Sequence, residues 1–302
     1  MKVIRAEDGT DGDANDSSNY ILYTGWAHGS ISEVNSLSMD SDGHMYAVLK
    51  KNNNQTQVYK LPFTSFGSTV TPTDLNVSLG SGDNNAASIF EKTVGGTKYK
   101  YIFTSKGFFN GNVHALRINP SDPTDLTDIT VNISDGSATT NKAKDFAWVN
   151  GGPASGGSYD VDFIGYDSNA NRLVGATITQ NGTWGSSDNF SIATSYRSTN
   201  SISFSGFSNK DSGAVMGFGN GIVYMMDNQD GDLYRYDASA DTSTGTNSGE
   251  ITGPTNTMTN SSNTDGAACG IGDPENPGVS AVSLSASQSL GTCSGSNTVT
   301  ST

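Results

Sequence analysis

The chain has 302 residues, with 16 Lys and Arg against 30 Asp and Glu, and a formal net charge of -14 at pH 7. An acidic field of that size excludes, at first order, partners held through phosphates, both nucleic acid and anionic membrane surfaces. Hydrophobic residues make up 33% and Gly numbers 36, which leaves a loop-rich all-β domain or disorder; 12 Tyr, 12 Phe and 3 Trp set in short apolar runs decide against disorder.

The opening Met1-Lys2-Val3-Ile4-Arg5 leads into acidic polar sequence without the apolar stretch of a secretory signal. No run of about 18 apolar residues follows anywhere, so no membrane-spanning helix is predicted. Residues 1–19 read as an acidic N-terminal segment, 20–270 as a β domain, and 271–302 as a Ser/Thr/Gly-rich tail. That tail leads toward a further domain or closes the fold, and its stop in mid-pattern suggests a piece of a longer chain.

Helical periodicity is absent, whereas short apolar runs bounded by Gly, Asn and Asp recur throughout. In chain order, a leading strand is predicted at Asn35–Met39, Ala87–Phe90, Asp145–Val149 and Ala214–Phe218. A second follows at Met45–Val48, Tyr101–Phe103, Val161–Ile164 and Ile222–Met225. The third lies at Gln57–Leu61, Val113–Arg117, Arg172–Ala176 and Asp232–Tyr236. Weaker fourth runs stand at Leu75–Ser78 and Ile129–Ile133. Each landmark returns after roughly 60 residues, and tandem four-stranded meanders at a fixed period are the pattern of a β-propeller. Four clear units plus both ends predict five to seven blades. A sandwich series or a β-solenoid is the competing reading; solenoid repeats are shorter, and sandwiches seldom keep so even a period.

The stretches Asn35–Leu37 through Asp42–Tyr46, Asp145–Val149, Gly213–Phe218 with Gly221–Tyr224, Asp232–Asp237 and Asp265-Gly266-Ala267-Ala268-Cys269 have a further property. In order, they resemble the landmarks of a propeller-like domain of unknown function found in large bacterial cell-surface proteins. The likeness spans roughly residues 20 to 270 and departs at the N-terminus, where an earlier blade and its cysteine are missing. It implies a location rather than a chemistry: such domains sit in multidomain surface proteins beside Ig-like repeats and anchors. No catalytic residue is carried over.

The sites that carry chemistry are few. His28, His44 and His114 lie on different units without metal-ligand spacing, and Lys210-Asp211-Ser212-Gly213 lacks the glycines that flank a serine nucleophile. Calcium is the sharper expectation, because Asp11–Asp16, Asp40–Gly43 and Asp227–Asp232 gather hard oxygen ligands around glycine turns. Of these, Asp227, Asp230 and Asp232 are the first choice; the bland alternative is that Asp-Gly and Asn-Gly simply make hairpin turns. Cys269 and Cys293 are expected to form a disulfide, which closes a loop of about 24 residues for roughly 3 kcal/mol. Trp148 reads as core, and loop-borne Trp184 is the candidate for stacking on a ligand.

The function expected is therefore a non-enzymatic extracellular module, adhesive or structural, of a larger bacterial surface protein. Its partners would be a surface glycan, a protein ligand or neighbouring domains. A carbohydrate- or peptide-binding propeller is the alternative, and a polysaccharide lyase or hydrolase the second.

Overall fold

A computed structural model describes residues 23–26, 31–51, 53, 55–62, 68–81, 86–109, 113–129, 131–133, 143–149, 161–167, 172–196, 212–217, 222–227 and 233–237. Every regular element among them is a strand. Strand β1 (Tyr23–Trp26) comes first. The first large sheet is built from β2 (Ile31–Met39), β3 (Met45–Lys51), β4 (Gln55–Leu61) and β6 (Thr73–Ser81), with the short β5 (Ser68–Val70) intervening in sequence. Four strands, β7 (Ala86–Val94), β8 (Thr97–Ser105), β9 (His114–Asn119) and β10 (Asp122–Ile129), make the second. The third holds β11 (Val131–Ile133), β12 (Ala147–Trp148), β13 (Phe163–Asp167), β14 (Arg172–Gln180) and β15 (Phe190–Tyr196). Last come β16 (Ser212–Gly217), β17 (Ile222–Asp227) and β18 (Leu233–Asp237).

Within each large sheet the successive strands, apart from β11, pair antiparallel in chain order, so the tandem meanders expected from the repeat are present. One predicted strand is divided. The run 129–133 splits: Ile129 ends β10, while β11 crosses to the third sheet and pairs parallel with β15, Val131 opposite Phe190. Strand β1 makes a similar parallel pair with β5.

A strand presents alternate side chains to opposite faces, and here both faces are apolar. In the second sheet, Ala87, Ile89, Ile102, Leu116 and Ile118 pack against Tyr46, Val48 and Val58 of the first. Their chain neighbours Ala86, Phe90, Tyr101, Phe103 and Ala115 turn the other way, onto Phe146, Trp148, Phe163, Phe190 and Ile192 of the third. The third repeats the device, sending Ala147, Ile164, Tyr166 and Leu173 toward Val215, Val223 and Met225 of the fourth. The sheets are thus stacked face to face in chain order. Between the second and third the filling is aromatic: Phe163 meets Phe103, Phe109 and Phe146 with ring centroids 5.2 to 5.4 Å apart, all in edge-on geometries that suit the ring quadrupole.

The leading strands lie side by side, β2 against β7, β7 against β12 and β12 against β16. A β-carbon on Gly217 would fall 2.0 Å from the Trp148 carbonyl oxygen, so the last of these approaches requires glycine. Among the described residues each leading strand pairs with one partner only, which would leave N–H groups bare on its other side. Side chains of the neighbouring sheet accept from them: Trp148 N–H donates to Ser88 Oγ at 2.9 Å, and Val215 N–H to Asp145 Oδ2 at 2.7 Å. The stacking is therefore held by polar pins as well as by apolar burial.

Candidate functional site

Among the described residues, the densest group of ionisable side chains lies where the β2–β3 hairpin of the first sheet meets β7 and β8 of the second. Asp40 follows β2 directly and starts the turn Asp40-Ser41-Asp42-Gly43, closed by Gly43 N–H donating to the Asp40 carbonyl and Asp40 N–H to that of His44, both at 3.0 Å. Gly43 takes a φ of +84°, which a side chain would resist. Asp40 is 1% exposed, and its Oδ1 accepts from His44 N–H at 2.8 Å and Asp42 N–H at 3.0 Å. Its Oδ2 faces His44 Nδ1 at 3.0 Å.

Lys100 on β8 enters this turn from the adjacent sheet. Its Nζ lies 2.9 Å from Asp40 Oδ2, 2.5 Å from Asp42 Oδ2 and 3.9 Å from Glu91 Oε1. Glu91 Oε1 in turn accepts from Ser41 N–H at 2.7 Å, and Lys98 Nζ donates to Ser41 Oγ at 2.9 Å. Burial works against the Lys100 ammonium, but Asp42 and Asp40 outweigh it and its pKa is raised. Burial likewise opposes the charged form of Asp42, and the Lys100 contact wins there too, lowering it. The raised lysine contributes stability below its ordinary pKa, and the lowered aspartate contributes above its own. The lock is thus fully made through the neutral range.

Asp40, Asp42 and His44 bring one ligand atom each within 4.8 Å of one another, the spacing of a metal centre. The donor set is nevertheless already neutralised, since the Lys100 ammonium bonds both carboxylates and His44 Nδ1 bonds Asp40. A cation seated there would have to expel a buried lysine, so the residues do not fit a resident metal.

A second cluster joins the second sheet to the third. Asp188 has a fully buried side chain; its Oδ1 accepts from Tyr101 OH at 2.9 Å, Gln180 Nε2 at 2.9 Å and Gly185 N–H at 2.8 Å, and its Oδ2 from Arg117 at 2.8 Å. Arg117 also donates to the Gly185 carbonyl at 2.6 Å. Gly185 sits at φ +78° against Tyr99, whose Cε1 would lie 2.5 Å from an added β-carbon.

Trp184 rides on this turn, as expected of a loop residue. It is half-buried, and its ring stacks on Phe90 at 6.1 Å while touching Tyr99, Tyr101 and Phe190. Trp148 is core, 5% exposed. Of the expected calcium ligands, Asp227 ends β17 opposite Ser212, and Asp230 and Asp232 lie outside the described residues, as do Asp11–Asp16, Cys269, Cys293 and His28. His44 and His114 each face a carboxylate of their own unit, Asp40 and Asp128. The sequence spacing revealed the Asp40 turn but neither Lys100 nor Asp188, whose partners lie on other strands.

No family model matches this chain, and no curated protein matches it.

Proposed function

We propose that this chain is a β-propeller module of five to seven blades belonging to a large extracellular surface protein of bacteria, with an adhesive or structural role rather than a catalytic one. The observation that carries this reading is the use of both faces of every internal sheet: each packs one face on the sheet before it and the other on the sheet after it, with the leading strands aligned. Closure of such a stack into a ring requires burial at its outer faces too, and Met45, Ala47, Leu49, Tyr59 and Leu61, on the far side of the first sheet, are 0 to 3% exposed. The two described charge clusters are spent on joining neighbouring sheets, which favours a rigid scaffold. In-frame deletion of residues 20–270 from the parent protein should abolish surface attachment or assembly. Release of product from a polysaccharide panel by the chain, lost on changing one carboxylate, would overturn the reading in favour of a lyase or hydrolase.

Calcium at Asp227, Asp230 and Asp232 belongs to the same proposal. Binding at a hundred times the dissociation constant stabilises by roughly 2.7 kcal/mol, so the unfolding midpoint should rise with Ca²⁺ and not with Mg²⁺ at equal ionic strength, because Mg²⁺ sheds water reluctantly. Identical melting in the two ions would reduce the loop to a turn. A Cys269–Cys293 disulfide fits an extracellular setting. Two thiols should become alkylatable only after reduction; alkylation of the untreated native chain would count against both bond and location.

A further inference from the structure

We propose that Lys100 and Asp40 form an intramolecular isopeptide bond, an amide between Lys100 Nζ and Asp40 Cγ, that ties the first sheet covalently to the second. Three features of the cluster carry this beyond an ordinary ion pair. The nucleophile and electrophile are both buried, Lys100 at 8% and Asp40 at 1% exposure, and Nζ already stands 2.9 Å from the oxygen that would leave. Asp40 Oδ1 faces two backbone N–H donors, those of Asp42 and His44 at 3.0 and 2.8 Å, which is the arrangement that stabilises an oxyanion on a carbonyl under attack. Groups able to move protons flank both reacting atoms: His44 Nδ1 stands 3.0 Å from the leaving Oδ2, and Asp42 Oδ2 stands 2.5 Å from Nζ.

The reaction needs no co-reactant. The ammonium passes one proton to Asp40 Oδ2, leaving a neutral amine beside a neutral carboxylic acid; burial of these two groups offsets part of the cost of discharging the ion pair. Nζ then forms its bond to Cγ, and the negative charge that develops on Oδ1 falls on the two backbone donors. Asp42 takes a second proton from Nζ and returns it, directly or through His44, to the departing Oδ2. The Cγ–Oδ2 bond breaks and one water leaves. The third proton stays on the amide nitrogen, Oδ1 remains a carbonyl that still accepts from both N–H groups, and Asp42 ends as the carboxylate it began as. Glu91, fixed by Ser41 N–H, flanks the site without exchanging atoms, and Lys98 stays bonded to Ser41 Oγ. Holding both partners at contact supplies the effective concentration that a slow amide synthesis requires.

The decisive measurement is the intact mass of the full chain, folded at neutral pH and then denatured and fully reduced. The chain should be lighter than its sequence by one water, and fragmentation of its digest should yield a branched peptide joining the Asp40 segment to the Lys100 segment. Lys100→Arg keeps a cation in the cluster but removes the amine nucleophile, so it should return to the linear mass; Asp42→Asn, which removes the base and keeps the side chain's size, should slow the loss of water at least tenfold. A wild-type chain that keeps its linear mass through prolonged folded incubation overturns the proposal, as does a branch at Asp42 or Lys98.

Discussion

Replacing Asp188 by alanine is expected to destabilise the chain by about 3 kcal/mol, the low end of the range for removing one partner of a buried ion pair, because Arg117 keeps 25% of its side chain in solvent. The loss has several parts. Tyr101 OH, Gln180 Nε2 and Gly185 N–H each lose their acceptor at once, and a buried donor left bare costs more than a made bond contributes. Tyr101 also carries ring contacts into the aromatic filling, at 4.9 Å from Phe190 and 5.9 Å from Trp184, so its displacement loosens the packing between the second and third sheets. Urea unfolding should show a lower midpoint at unchanged slope. The double variant with Arg117→Met should recover part of the loss, since it removes the stranded charge. A shift under about 1 kcal/mol, the scale of an exposed ion pair, would mean that the cluster is a surface feature and not a lock.

That lock was hidden from the sequence for a reason that applies to most of the candidate sites here. Strand runs such as Met45–Val48 and Tyr101–Phe103 are legible because alternation and bounding turns are local, and they stand in β3 and β8 as read. The run Asp145–Val149 reads as one strand, yet only Ala147 and Trp148 form the ladder, opposite Ile164 and Phe163, with Val149 N–H donating to the Asp162 carbonyl at 2.9 Å. Asp145 spends its carboxylate on the backbone of the next sheet, and Phe146 turns into the ring cluster to stack on Phe109 at 4.5 Å. Local pattern cannot register either demand. The acidic turn at Asp40 was visible as a ligand-rich loop, but the residue that decides its chemistry, Lys100, is 60 positions away on another sheet. Trp184 stands on a turn, in keeping with its Asn-Gly-Thr setting, while the direction of its ring depends on Phe90 and Tyr99, which no spacing in its own loop reports.

Asp145 supplies the largest pH effect expected of the described residues. Its carboxyl is wholly buried between the third and fourth sheets and accepts from Phe146 N–H at 2.8 Å and Val215 N–H at 2.7 Å. Burial disfavours the carboxylate more than those two donors favour it, and the pKa is pushed up to about 8 from an ordinary 3.8. The folded state therefore binds this proton more tightly than the unfolded one. The stability it contributes is fully present below pH 3.8 and is lost as pH rises through about 8. A gap of that size corresponds to a difference on the order of 5 kcal/mol across the window. Asp145→Asn cannot ionise, so its stability should lack this slope between about pH 4 and pH 8. At the acid end the variant should be the weaker of the two, because its NH₂ group confronts one of the backbone donors that the carboxyl oxygens accept from. At the alkaline end the order should reverse, since the wild type then carries a buried charge that no cation among the described residues offsets. Urea midpoints measured at three pH values across the window provide the check, and the difference between wild type and variant cancels the repulsion common to both chains. Parallel curves would show that Asp145 keeps one protonation state throughout, with its two N–H donors holding the carboxylate against burial.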